Sequence, residues 1–399
     1  MSPRLESLPT HIRTPDLRPI QPIPATQDGK KLVALRDPSM LSQQTLLVPP
    51  PVMTVLQQFS GTDQIEAIAE RMNGNLDQFI DLAEGLDRVG LLWGPTFSAL
   101  EEERLEGIRS NGAFPGGAAL AMGESVEECR TTMNEWFEQT EDPELDGEIV
   151  GLVAPHLDYE RGWPNYAAAY YLAREMPTPD RVVVLGTNHF GLGDGVVGTE
   201  WGFDSPMGRI NSDEAVTSAL RERLGRPYLV DQLDHLAEHS IVLQLPWIQY
   251  CFGDVPIVPA LIPDPINQPE DDERVSGESF IDALSATLDD VGGRTFFVAS
   301  SDLSHVGPQF GEPRPVDDQR RHDVEAHDRE MLGHVVSCDT DAFVSAMRWS
   351  CNPTRWCSIG SMAAALQLAR PGAVELIDYR QAVDERGLVL VSSAALVMQ

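Results

Sequence analysis

At 399 residues the chain exceeds one ordinary compact core, so a large domain with a smaller companion is expected. With 42% hydrophobic and 23% charged residues it is globular, and a formal net charge of -33 argues against non-specific binding to nucleic acid or anionic membrane. The start, MSPRLESLPTHIR, has no secretory apolar core and no later run reaches the roughly 18 apolar residues of a membrane helix, so a soluble cytoplasmic protein is expected.

Residues 1–28 are Pro-rich (PIQPIP), lack apolar periodicity and predict a flexible leader. KLVAL and TLLV then read as two short strands, and Pro49-Pro50-Pro51 leads into helical text. Ile65, Ile68, Ala69 and Met72 recur at helical spacing, as do Phe79, Leu82 and Leu86, with Asn75 as N-cap. Residues 29–96 therefore read as a small winged-helix-like domain, followed by a polar, acidic linker over 97–110. From residue 111 to 399, EIVGLVAP, RVVVLG, VPIVPALI, RTFFVAS and GLVLVSS are continuous apolar runs alternating with helical stretches such as AVTSALRERL and SFIDALSATL. That alternation predicts an α/β domain with a largely parallel sheet flanked by helices.

Three histidines follow such runs: His156 in GLVAPHLDY, His189 in VVVLGTNHF and His305 in FFVASSDLSH. Ligands and metals bind at the carboxyl ends of parallel strands, so three imidazoles delivered there can converge on a metal ion. Asp158 and Tyr159 are candidate supports for His156, and Asp302, three residues before His305, is a candidate to orient it or to bind metal itself. The five cysteines have no disulfide-like spacing, so reduced thiols are expected; Cys357, just before a small-residue helical run, is a candidate ligand or nucleophile. His235-Leu-Ala-Glu238-His239 also spells H-x-x-E-H, the inverzincin protease pattern, with Pro246 close behind.

The order PH…Y…G, G-x-x-H, SPMG, EHS-x-x-x-QLP, SSDLSH and R-x-C resembles the Memo family, called AmmeMemoRadiSam system protein B in prokaryotes and similar in fold to class III extradiol dioxygenases. The resemblance implies that His156, His189 and Cys357 hold one transition-metal ion, iron, copper or zinc. It puts Asp302 and His305 at the catalytic pair, with Glu238 and His239 beside the cleft. It further implies a dioxygenase-like oxidoreductase working with radical-SAM and AMMECR1-like partners. The usual PHAGY is PHLDY here, and the second His of SHH is Phe190. A thiolate where dioxygenases carry a carboxylate favours copper(I), zinc or thiolate-ligated iron. LVALRDP, TLLV, FSGTDQIEAI and LDRVGLL resemble PqqD-like domains, which implies a peptide bound at the small domain by strand addition. The alternative is a metal- or peptide-binding accessory protein without turnover.

Overall fold

A computed structural model describes residues 3–189, 195–266 and 273–399. The chain divides into two compact units, Met1–Asn111 and Gly112–Gln399. Among the described residues no helix is long and apolar enough to cross a membrane.

The first unit opens with two short helices, α1 (Pro3–Glu6) and α2 (Thr10–Arg13), then an antiparallel meander of β1 (Gln21–Gln27), β2 (Lys30–Arg36) and β3 (Leu46–Val48). Helices α3 (Val52–Leu56), α4 (Ile65–Arg71), α5 (Leu76–Arg88) and α6 (Pro95–Asn111) complete it. Asn75 caps α5, accepting the Asp77 N–H at 2.9 Å. Two expectations are corrected. The leader is folded: Leu5 and Ile12 are buried in the core, and Pro22 and Pro24 lie on β1, an edge strand where missing N–H groups are tolerated. The ribbon therefore has three strands, not two. Arg18, also from the expected leader, is 2% exposed. It pairs with Asp37 at 3.2 Å and stacks over Phe97 at 3.8 Å. The expected linker is helix α6, which buries Phe97 and Ile108.

The second unit begins with β4 (Ala113–Phe114) and α7 (Val126–Glu138), then enters its main sheet at β5 (Gly151–Ala154). After α8 (Tyr159–Tyr170) come β6 (Arg181–Thr187), β7 (Val197–Gly198), β8 (Gly202–Ser205), β9 (Gly208–Ile210) and α9 (Glu214–Leu224). Next are α10 (His239–Val242), α11 (Leu245–Phe252), β10 (Ile257–Ile262) and α12 (Gly277–Val291). The chain closes with β11 (Thr295–Ser300), β12 (Asp302–Val306), α13 (Asp318–Val336), α14 (Thr340–Ser350), α15 (Ile359–Ala369), β13 (Val374–Val383) and β14 (Leu390–Met398).

The main sheet runs β12-β14-β5-β11-β6-β10-β7, with β13 on β14. Its centre, β5, β11, β6 and β10, is parallel and buried on both faces, which explains the unbroken apolar text of those strands. β7, β12, β13 and β14 add antiparallel edges. Helix α15 packs on β6, β10 and β11, whereas α8 packs on β5, β13 and β14. Close approach of α15 needs Gly360, because a Cβ there would lie 2.2 Å from the Pro263 carbonyl oxygen.

Candidate metal centre

β5, β11 and β6 are neighbours and parallel, so their carboxyl ends share one edge. His156 leaves that edge two residues after β5, Ser300 ends β11, and His189 stands two residues after β6. The fourth element is α10, which starts at His239. Ser240 locks it to β6, accepting the Thr187 N–H at 3.0 Å and donating to the Thr187 carbonyl at 3.1 Å. Gly186 makes room for that contact: a Cβ would sit 2.4 Å from Ser240 Oγ. One donor atom from each of His156, His189 and His239 lies within 4.8 Å of the others. The His156 ring stands nearly perpendicular to the other two, whose centroids are 4.8 Å apart.

The hydrogen bonds assign which ring nitrogen faces the common point. Glu238, 2% exposed, accepts the His189 N–H at 2.8 Å and lies 3.0 Å from His189 Nδ1 and 3.3 Å from His239 Nδ1. It also accepts the Ser240 N–H at 2.8 Å. Burial opposes the Glu238 charge, but contacts with His189 and His239 hold its carboxyl down at about 2, so it is an acceptor for both rings. Ser300 does the same for His156. Its hydroxyl donates to the Ser240 carbonyl at 2.5 Å and accepts from Gln244 Nε2 at 2.9 Å, so His156 Nδ1, 3.4 Å away, is the donor. These contacts occupy the Nδ1 side of each ring, so Nε2 is the nitrogen each would present to a metal, as ligand histidines do.

Cys357, in the turn before α15, places Sγ 3.3 Å from His156 Nε2 and 3.1 Å from Ser358 Oγ. Burial, with neighbouring His189 and His239, pushes the His156 pKa well below the ordinary value; burial also lowers His239. His189 moves the other way: burial opposes its charge, yet Cys357 and Glu238 together raise its pKa well above the ordinary value. Three imidazole nitrogens and one thiol fit a transition-metal ion, with every outward N–H already taken by an acceptor.

Asp302 does not orient His305. Its Oδ1 accepts the His156 N–H at 3.0 Å, and its Oδ2 lies 3.8 Å from His156 Nε2. Burial pushes the Asp302 carboxyl up to about 7, against the backbone bond from His156 and the charge on His189. His305 Nδ1 is held instead by the Leu303 and Arg355 carbonyls at 3.1 and 3.2 Å, which leaves Nε2 as an acceptor. Burial, with the charges of His189 and His239, lowers its pKa to about 4, so the ring is neutral at pH 7.

The structure gathers His156, His189, His239, Glu238, Asp302 and Cys357, with His305 on the flank. His239, expected beside the cleft, is a member of the donor cluster. Asp158 and Tyr159 are elsewhere. Asp158 caps α8 and pairs with Arg161, and the buried Tyr159 hydroxyl donates to the Leu243 carbonyl at 2.9 Å. Ser300 and Gln244 were not singled out; the signal for Gln244 was its place in QLP. The protease pattern fails on backbone geometry. His235 ends up in a 3-10 turn (Gln232–Leu236), Glu238 is extended at φ -78° and ψ 130°, and only His239 enters the next helix, so no single helix carries both histidines. His235 packs instead against Phe114 and, edge-on, against Phe203. Phe190 lies outside the described residues.

The sequence profile of the family described as Memo-like protein matches residues 117–397. A MEMO1 family protein of Methanopyrus kandleri is 29% identical over 264 residues, 63% of this chain and 83% of the relative. Another, from Desulfurococcus amylolyticus, is 31% identical over 242 residues, 60% and 78% of the two chains. A third, from Pyrobaculum aerophilum, is 34% identical over 171 residues, which spans 42% of this chain and 57% of that protein. The profile covers well over half of the chain and includes all four candidate donors, so the chain belongs to the Memo-like family.

Proposed function

We propose that His156, His189, His239 and Cys357 hold one transition-metal ion at the strand ends and that the protein is a metal-dependent oxidoreductase with His305 as its base. The observation that supports this reading is the shared scaffolding of the cluster: Glu238 contacts Nδ1 of His189 and His239, Ser300 contacts Nδ1 of His156, and one donor atom of each ring lies within 4.8 Å of the others. Imidazole with thiolate suits zinc, copper or iron. When bound, such an ion supplies Lewis acidity at the cleft and, if redox-active, electrons.

The remaining work belongs to the chain. His305, neutral and anchored through Nδ1, offers Nε2 to a substrate hydroxyl proton. Asp302, with a pKa near the ambient pH, holds or releases a proton beside His156 Nε2. The substrate class is an aromatic diol, and radical-SAM and AMMECR1-like proteins are the proposed partners; both rest on family analogy alone. The experiment is oxygen uptake by iron(II)-loaded protein given simple catechols. Uptake that is lost in His305→Ala supports the oxidoreductase. A metal-loaded protein inert to every diol leaves the accessory reading, in which the ion is structural.

A further inference from the structure

We infer that Asp328, on α13 and apart from the metal cluster, is the positioning residue that fixes His305 and Cys357 relative to each other. The inference rests on the metal-site reading above. Asp328 is fully buried and, among the described residues, has no ion-pair partner. Four donors satisfy it. Ser304 Oγ and Trp356 Nε1 donate to Oδ1 at 2.5 and 2.7 Å, and Ser392 Oγ and Tyr379 OH donate to Oδ2 at 2.5 and 2.8 Å.

Both Oδ1 donors immediately precede site residues: Ser304 comes before His305, and Trp356 before Cys357. Of the Oδ2 donors, Tyr379 lies on β13, away from the site, whereas Ser392 lies on β14 beside β12 and also accepts the Ser304 N–H at 2.9 Å. Trp356 Nε1 also reaches Ser304 Oγ at 3.1 Å, closing a three-membered network. The turn carrying Cys357 is tied directly to β12 as well, since His305 N–H donates to the Thr354 carbonyl at 2.7 Å. If Asp328 merely anchored its helix, an apolar side chain would suffice, as Val324, Met331, Leu332 and Val335 show on the same helix. A buried anion must instead keep all its donors, so neither segment can shift without leaving it undersolvated.

The test compares the two sides of the carboxylate in the full chain. Trp356→Phe and Asp328→Ala cut the Oδ1 link, whereas Tyr379→Phe cuts only the Oδ2 side. With cobalt(II) as probe, the first two should bind about tenfold more weakly and shift the thiolate-to-cobalt absorption, and Tyr379→Phe should do neither. In ion-free protein, Trp356→Phe should speed hydrogen exchange about tenfold over residues 302–306 and 352–357 and leave 374–383 unchanged. Asp328→Ala is the variant at risk of not folding, and Trp356→Phe carries the test in that case. Equal effects from Trp356→Phe and Tyr379→Phe, or a wild-type cobalt spectrum and wild-type exchange in Trp356→Phe, would overturn the assignment. A wild-type chain that takes up no cobalt would refute the metal site itself, and exchange would still decide the role of Asp328.

Discussion

Replacing Glu238 by Gln tests how the cluster is built. The carboxylate contacts Nδ1 of two of the three imidazoles, at 3.0 Å for His189 and 3.3 Å for His239. An amide keeps the volume but loses the charge, and turns a donor toward rings that are themselves donors there. Loss of one such outer partner typically weakens metal binding at least tenfold, so two rings disturbed together predict about a hundredfold, or roughly 3 kcal/mol. The assay is zinc titration in competition with a chromophoric chelator at pH 7, beside a thermal melt of the ion-free proteins. The melt should fall only modestly, because Glu238 also caps α10 through the Ser240 N–H, a contact worth about 1 kcal/mol. Since Glu238 stays ionised down to about pH 2, its protonation does not account for weaker binding by the wild type at pH 5. Zinc affinity within threefold of wild type would refute the reasoning.

His305→Ala should retain a full equivalent of metal, measured by elemental analysis, because Nε2 of His305 is reserved for substrate; loss of metal would make it a ligand. Burial holds His235 at about 4, below its ordinary 6.5, so the unfolded chain takes up the proton first. Its stability contribution is full above pH 6.5 and declines as pH falls toward 4. Urea melts of ion-free protein should therefore show His235→Phe losing about 2 kcal/mol less than wild type between pH 6.5 and 5, whereas parallel slopes would contradict the burial argument. A fragment of residues 29–96 should fail to fold by circular dichroism, while 1–111 folds. Without the first 28 residues Leu5, Ile12 and β1 are missing, and Asp37 is a buried carboxylate without Arg18, a loss of about 3–5 kcal/mol.

The large sheet was legible because its parallel strands are buried on both faces and so read as unbroken apolar runs. His156 and His189 were legible for the same reason: a strand that ends sharply shows where its ligand residue stands. The Asp302–His305 relation was not. Spacing of three suggests neighbours on a turn or helix, but both residues lie on β12, with a register shift between them that no local pattern announces. The backbone amide of His156 then captures the Asp302 carboxylate. Prolines hid β1, since PIQPIP gives no apolar alternation and a proline-bearing edge strand carries the same text as a flexible leader. The role of Ser300 depends on a hydroxyl proton committed to the Ser240 carbonyl, a contact between residues 60 positions apart that no local pattern encodes.

The central claim is the His156, His189 and His239 cluster as a metal site, and elemental analysis of protein expressed without an affinity tag tests it most directly. Wild type should carry about one transition-metal ion per chain, and His156→Ala, His189→Ala and His239→Ala should each lose most of it, with His235→Ala unchanged. Full occupancy in all three cluster variants would contradict the account.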